Sequence, residues 1–155
     1  MLFSVLQVVA LVVAGPMVGN ELCVGLFLHP TLRHLPDDLH APTRRAFAAL
    51  FGRIMPFWYI ATLLLSVAVT WMGPSFSSVS GKLFLGSSLL WLLAIVFTVI
   101  FPAPLNSRIA AWQLESLPQT WRSDAQRWDG WHAIRMVMLV SALVCLTAGT
   151  VVSHG

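Results

Sequence analysis

Charge is what this chain has least of. Only 10% of its 155 residues are Asp, Glu, Lys or Arg, and 57% are hydrophobic, whereas a soluble domain carries about a quarter charged residues. The deficit excludes a water-soluble globule and makes the bilayer the solvent for most of the surface. Cysteine is scarce as well. Cys23 and Cys145 both fall in apolar runs, and there is no CxxC or Cys/His spacing. A disulfide framework and a zinc motif are therefore excluded, and both thiols read as small buried apolar groups. No Lys or Arg precedes the first apolar run, which is also too long for a cleaved leader, so it reads as a retained helix. The net charge is +3, but the basic residues sit at the ends of apolar runs rather than in an aromatic-lined groove. Nucleic acid is excluded as a partner on that ground.

What is present is four apolar runs, each near or above the about 20 residues that a helix needs to cross a bilayer. They cover residues 2–28, 47–72, 82–101 and 131–152 of a single membrane domain, 1–155. The expected fold is all-α: a four-transmembrane-helix bundle with interfacial helical pieces. Pro16 is expected to kink the first helix, the small residues Ala14, Gly15, Gly19 and Cys23 to give it a thin contact face, and His29-Pro30 to end it. Residues 30–46 read as a polar connection with a short helix before Pro36, and residues 105–130 as amphipathic pieces broken near Pro118. Trp112, Trp121 and Trp128 are suited to the membrane interface. The first connection carries Arg33, Arg44, Arg45 and Arg53 and the third Arg108, Arg122, Arg127 and Arg135, against Lys82 alone in the second. By the positive-inside rule both large connections are cytoplasmic and both termini lie outside.

The stretch WRSDAQRWDGWHAIRM, from Trp121 to Met136, carries the chemistry. Trp128, His132 and Arg135 follow the four- and three-residue steps of one helix face. That face takes an imidazole and a guanidinium into hydrocarbon, which is costly without partners. Glu21, eight residues before His29 and so roughly 12 Å along the helix, needs a cation or a proton. Arg135 is its expected partner, with Arg53 the other candidate. His132 can act as base or acid near neutrality. As a boundary histidine it could equally bond a carbonyl. His29 stands at a helix end, where capping competes with ligand contact. Asn106 follows two prolines and either caps a turn or offers its amide to a ligand oxygen. Asn20 lies in the first run next to Glu21. Trp128 shares the His132/Arg135 face and walls an aromatic pocket. His29, His132 and Glu21 together have the composition of a two-histidine, one-carboxylate metal triad. His34, His40 and His154 lie in loop or tail and receive no role.

These features resemble the anthrone-oxygenase-like family of small membrane proteins. The resemblance rests on four apolar segments, Pro104-Leu105-Asn106, and Trp128 followed by His132 and Arg135 into the last helix. It implies a membrane oxygenase that acts with O2 on a small lipophilic aromatic such as an anthrone, without an evident organic cofactor. Asn106, Trp128, His132 and Arg135 are its motif positions. Bacterial members imply an inner-membrane location. The chemistry would start with proton removal by His132, or by Glu21 as second choice, and Arg135 and Asn106 would hold the enolate oxygen. Trp128, His29, Asn20 and Arg53 would line the substrate. Two other readings stay open. One is a metal- or haem-binding redox protein using His29 and His132. The other is a non-enzymatic carrier or accessory subunit, which would need a polar path through the almost wholly apolar outer halves of the segments. A homo-oligomer is compatible with the small-residue face of the first helix.

Overall fold

The computed structural model describes all 155 residues, and every regular element is helical. α1 is Leu2–Cys23. It loosens into a π-helical turn, Val24–Leu28, and re-tightens as α2, His29–Arg33. α3 is Asp37–Met72, α4 Val79–Ile100, α5 Pro102–Ala110 and α6 Trp121–His154. Four stretches are long and apolar enough to cross a membrane: Leu2–Arg33, Asp37–Met72, Val79–Ile100 and Trp121–His154. This is the build of an integral membrane protein. Outward-facing Val8, Val12, Leu64, Trp71, Val99, Val144 and Val151 leave large apolar side chains on the surface.

The first helix does not stop at His29-Pro30. Proline lacks an N–H and its ring clashes with the carbonyl four residues back. The wider π-turn just before it shifts that carbonyl aside, so the helical path continues to Arg33. α3 and α6 each begin ten residues before the apolar runs that announce them. Hydropathy marks where a helix can meet lipid, not where it starts. Asp37 and Asp38 occupy the first turn of α3, and Asp124 the first turn of α6, where they oppose the positive helix end. Pro102 and Pro104 open α5 rather than merely closing α4, because proline suits the first turn of a helix.

α4 and α6 share the most extensive helix contact. Gly149 of α6 makes room for Phe84 of α4, whose ring would lie only 2.7 Å from an added Cβ. Buried Ala10, Ala14 and Met17 of α1, Tyr59 and Val69 of α3, Phe84, Trp91 and Ala94 of α4, and Leu139, Ala142 and Leu146 of α6 form one core. The thin face of α1 is therefore not the glycine stripe. Gly15 and Gly19 meet nothing within 4 Å, and Cys23 is exposed rather than buried. The register that turns Ala14, Met17, Val18 and Glu21 inward turns those residues out. Ser66 and Thr70 of α3 hydrogen-bond Ser87 and Ser88 of α4, and Ser87 Oγ donates to the Ala142 carbonyl of α6. Such interhelical bonds contribute about 0.6 kcal/mol each in a membrane. Gln7 joins Ser153 and His154, so the far ends of α1 and α6 are tied.

The tryptophans assigned to the interface are core residues instead. Trp112, Trp121 and Trp128 are at most 9% exposed. With Val24, Ala41, Ala48, Leu105, Ile109 and Ala125 they form a second core at the basic end. The amphipathic pieces fold back on one another, so their indoles face protein. His40 belongs to α3 rather than to a loop and packs on Trp121.

Candidate functional site

Glu21, Tyr59, His132 and Arg135 converge from α1, α3 and α6 in the protein interior, none more than 7% exposed. Glu21 is the hub. Its Oε2 accepts from Arg135 Nη2 at 2.9 Å and Nε at 3.2 Å, and its Oε1 accepts from the Tyr59 hydroxyl at 2.7 Å. Arg135 lies over the Tyr59 ring, 5.6 Å from its centroid. The expected Glu21–Arg135 pair is thus present. The alternative partner, Arg53, is exposed and makes no ion pair with Glu21, because its register on α3 is opposite to that of buried Met55 and Tyr59. Arg53 does not line the cavity either.

His132 is held at both nitrogens. Where α1 loosens into the π-turn, the Glu21 carbonyl accepts from His132 Nε2–H at 3.0 Å. Arg135 Nη2 then donates to His132 Nδ1 at 2.9 Å. These partners assign the neutral tautomer protonated on Nε2, with its lone pair on Nδ1. Glu21 Oε2 stands 3.4 Å from that same Nδ1. The ring fits because residue 25 is glycine: a Cβ there would meet His132 Cδ2 at 3.2 Å and Met136 Sδ at 3.0 Å. Gly25→Ala is therefore expected to displace the imidazole. Thermal unfolding in detergent should shift by the equivalent of about 1–3 kcal/mol, the ordinary cost of overpacking.

These four side chains form one wall of a cavity of about 250 Å³. Its other walls are mostly apolar: Val24, Phe51, Met55, Ile60, Ile95, Val99 and Trp128 among them. Ile60 and Val99 are 51% and 64% exposed on the outer surface, so the cavity reaches the lipid-facing side between α3 and α4. Asn20 lines it and donates weakly to Met55 Sδ at 3.7 Å. Asn106 lines it too, but its Nδ2 donates to the Ala48 carbonyl at 2.9 Å. Gly52 permits this close approach, since a Cβ there would lie 2.8 Å from that nitrogen. Asn106 thus first braces α5 against α3.

His29 is not in the cavity wall. Its ring meets Trp128 and His132 edge-on, both at centroid distances of 4.8 Å, and its Nδ1 faces Asp129 Oδ1 at 3.3 Å. Asp129 also receives Arg44 Nη1 at 2.7 Å and Arg33 Nη2 at 2.8 Å. The residues do not fit the metal or haem reading. No three His, Cys, Asp or Glu side chains converge as a metal site. The His132 nitrogens face a peptide carbonyl and a guanidinium, and the two imidazoles touch, leaving no room for a macrocycle between them.

Tyr59, Asp129, Arg44 and Arg33 are site residues that sequence reasoning missed. Tyr59 is the single tyrosine, a hydroxyl placed in an otherwise apolar run. Asp129 lies three residues before His132, one helical step on the same face.

Residues 44–145 match the anthrone oxygenase family. No curated protein and no solved structure matches the chain. The match contains Tyr59, Asn106, Trp128, His132 and Arg135 and begins after Glu21 and His29. Since it spans well over half of the 155 residues, the chain belongs to the anthrone oxygenase family.

Proposed function

We propose that the protein is a membrane-embedded oxygenase that uses O2 on a small, flat, lipophilic aromatic with an acidic C–H, of the anthrone type. The observation that carries this reading is one hydrogen-bonded wall, Glu21–Tyr59–His132–Arg135, on a mostly apolar cavity that reaches the lipid-facing side. At about 250 Å³ the space is just below the usual range of ligand pockets, which suits a few fused rings and little more. A lipophilic substrate would enter between α3 and α4 and lie against Trp128.

His132 Nδ1 is the base, its lone pair released when Arg135 Nη2 shifts wholly onto Glu21 Oε2, which it already bonds. When it takes the substrate proton, the C–H electron pair stays on the substrate as an enolate. The new Nδ1–H then turns to Glu21 Oε2, already 3.4 Å away. Arg135 binds the enolate oxygen through Nη1, which makes no hydrogen bond within the protein, while Nε and Nη2 stay on Glu21 Oε2. In an apolar cavity such a preplaced donor acts far more strongly than in water. Glu21 is the less suitable base because protonating it would leave the buried Arg135 guanidinium without its counter-charge. The electron-rich enolate then reduces O2, which partitions into the same hydrocarbon. Asn106, Asn20 and Trp128 shape the cavity.

The test is oxidation of an anthrone by the purified protein in lipid nanodiscs. His132→Ala is expected to lower kcat by about 10²–10⁴-fold, the usual contribution of a positioned base. Oxidation by His132→Ala at the wild-type rate would overturn the assignment.

A further inference from the structure

Beside the large cavity lies a second, smaller void that the chemistry above does not use. It measures about 10 Å³, close to the least space that holds one water-sized molecule. Three features set it apart. First, it shares Val24, Phe51 and Trp128 with the large cavity, so a single layer of side chains divides the two. Second, its surface is almost all carbon, with Leu28, Leu32, Ala48 and Ile109 making up most of the remaining wall. Arg44 borders it as well, but its unpartnered Nη2 is covered by protein, and so is the unpartnered Trp128 Nε1. A buried water needs several polar partners to stay, and this wall offers almost none. Third, the π-helical turn Val24–Leu28 runs along it, with both end residues of the turn in its wall. Such turns are frequent at functional sites.

We infer that this void is an O2 subsite, a dry pocket that holds the gas beside the aromatic substrate. The inference rests on the proposed function and assigns a place to its second substrate. A flat aromatic that fills the cavity of about 250 Å³ leaves no room there for O2, and it closes the way in from lipid between α3 and α4. O2 therefore needs a space of its own within reach of the reacting carbon. Trp128 stacks on His132, with ring centroids 5.3 Å apart and planes 24° from parallel. The carbon that gives its proton to His132 thus lies close to the indole that borders the void. No hydrogen bond fixes that indole, because Nε1 has no partner, and a small swing of the ring joins the two spaces. O2 is small and nonpolar, and a void too poor in polar partners for water takes up such guests, as apolar cavities take up xenon. Excluding water there also keeps it from returning a proton to the enolate.

Xenon tests the void without any turnover. Crystals of the wild-type protein under xenon pressure are expected to show a xenon atom between Leu32 and Ile109, and no ordered water there. Ala48→Val fills the void from a residue that does not line the large cavity, and it keeps the residue 48 carbonyl that accepts from Asn106. It is expected to lose the xenon. In nanodiscs it should raise KM for O2 about tenfold, the usual effect of an added methylene in an apolar pocket, while KM for anthrone and kcat at saturating O2 stay at the wild-type values. Leu32→Phe fills the same space from α2 and should show the same pattern if Ala48→Val is poorly folded. Ordered water in place of xenon would overturn the subsite. An unchanged KM for O2 in a folded variant that no longer binds xenon would overturn it too, and would leave the proposed function standing. A matching rise in KM for anthrone would place the effect in the substrate cavity and count equally against the subsite. If xenon binds but the wild-type protein oxidises no anthrone, the proposed function fails and the O2 assignment with it.

Discussion

Arg135→Leu is expected to abolish turnover and to destabilise the protein by about 3–5 kcal/mol, because it leaves the Glu21 carboxylate buried without a cation. Glu21 is 2% exposed, and the Tyr59 hydroxyl would be its one remaining side-chain donor of strength. His132 would also lose the donor on Nδ1. The complementary Glu21→Leu leaves a guanidinium in the same place and carries the same penalty. The double variant, Glu21→Leu with Arg135→Leu, is the informative one. Replacing a buried ion pair by apolar groups of similar size is often neutral for stability. Unfolding in mild detergent should therefore return to near the wild-type midpoint while anthrone oxidation stays absent. That outcome would separate the ion pair's chemical role from any part it has in fixing helix register. Recovery of activity together with stability would make the pair purely structural.

The convergence of Glu21 with Arg135 was legible because the arithmetic of a membrane leaves few options. A carboxylate and a guanidinium in apolar runs must each find a partner, and helix geometry put them at one depth. The bundle was legible for the same reason, from four apolar runs. The rest was hidden by two physical facts. Hydropathy cannot see a helix whose polar face is buried against protein, so the first ten residues of α3 and of α6 read as connections. Those turns carry Arg44, Trp121, Asp124 and Trp128, which explains why a set of apparent interface tryptophans is a core and why Asp129 was passed over. A tyrosine in an apolar run also gives no charge signal, so Tyr59 was invisible until its hydroxyl was seen on Glu21. The direction of a side chain around a helix is equally undetermined one residue at a time. Arg53 and Cys23 face out because Met55, Tyr59 and Glu21 face in.

Asp129→Ala should be the most destabilising change at the basic end. The carboxylate joins α6 to α2 through Arg33 and His29 and to α3 through Arg44. These partners differ in how much they depend on it. Arg33 is 55% exposed at its side chain and can turn to water, so its bond counts for about 1 kcal/mol or less. Arg44 cannot. Its side chain is 4% exposed, its Nη2 already has no partner, and its Nε is held by His40 Nε2 at 3.2 Å. Removing Asp129 leaves that charge unmatched among Trp128, Phe47 and Ile109, for a cost of about 3–5 kcal/mol. Arg33→Ala should shift the unfolding midpoint little, and Asp129→Asn should fall between the two because it keeps an acceptor without the charge. The ordering Asp129→Ala, then Asp129→Asn, then Arg33→Ala is what denaturation in detergent should return. If Arg33→Ala proved as damaging as Asp129→Ala, the exposed arginine rather than buried Arg44 would be the partner that holds the helices at this end, and α2 rather than α3 would be the element that Asp129 secures.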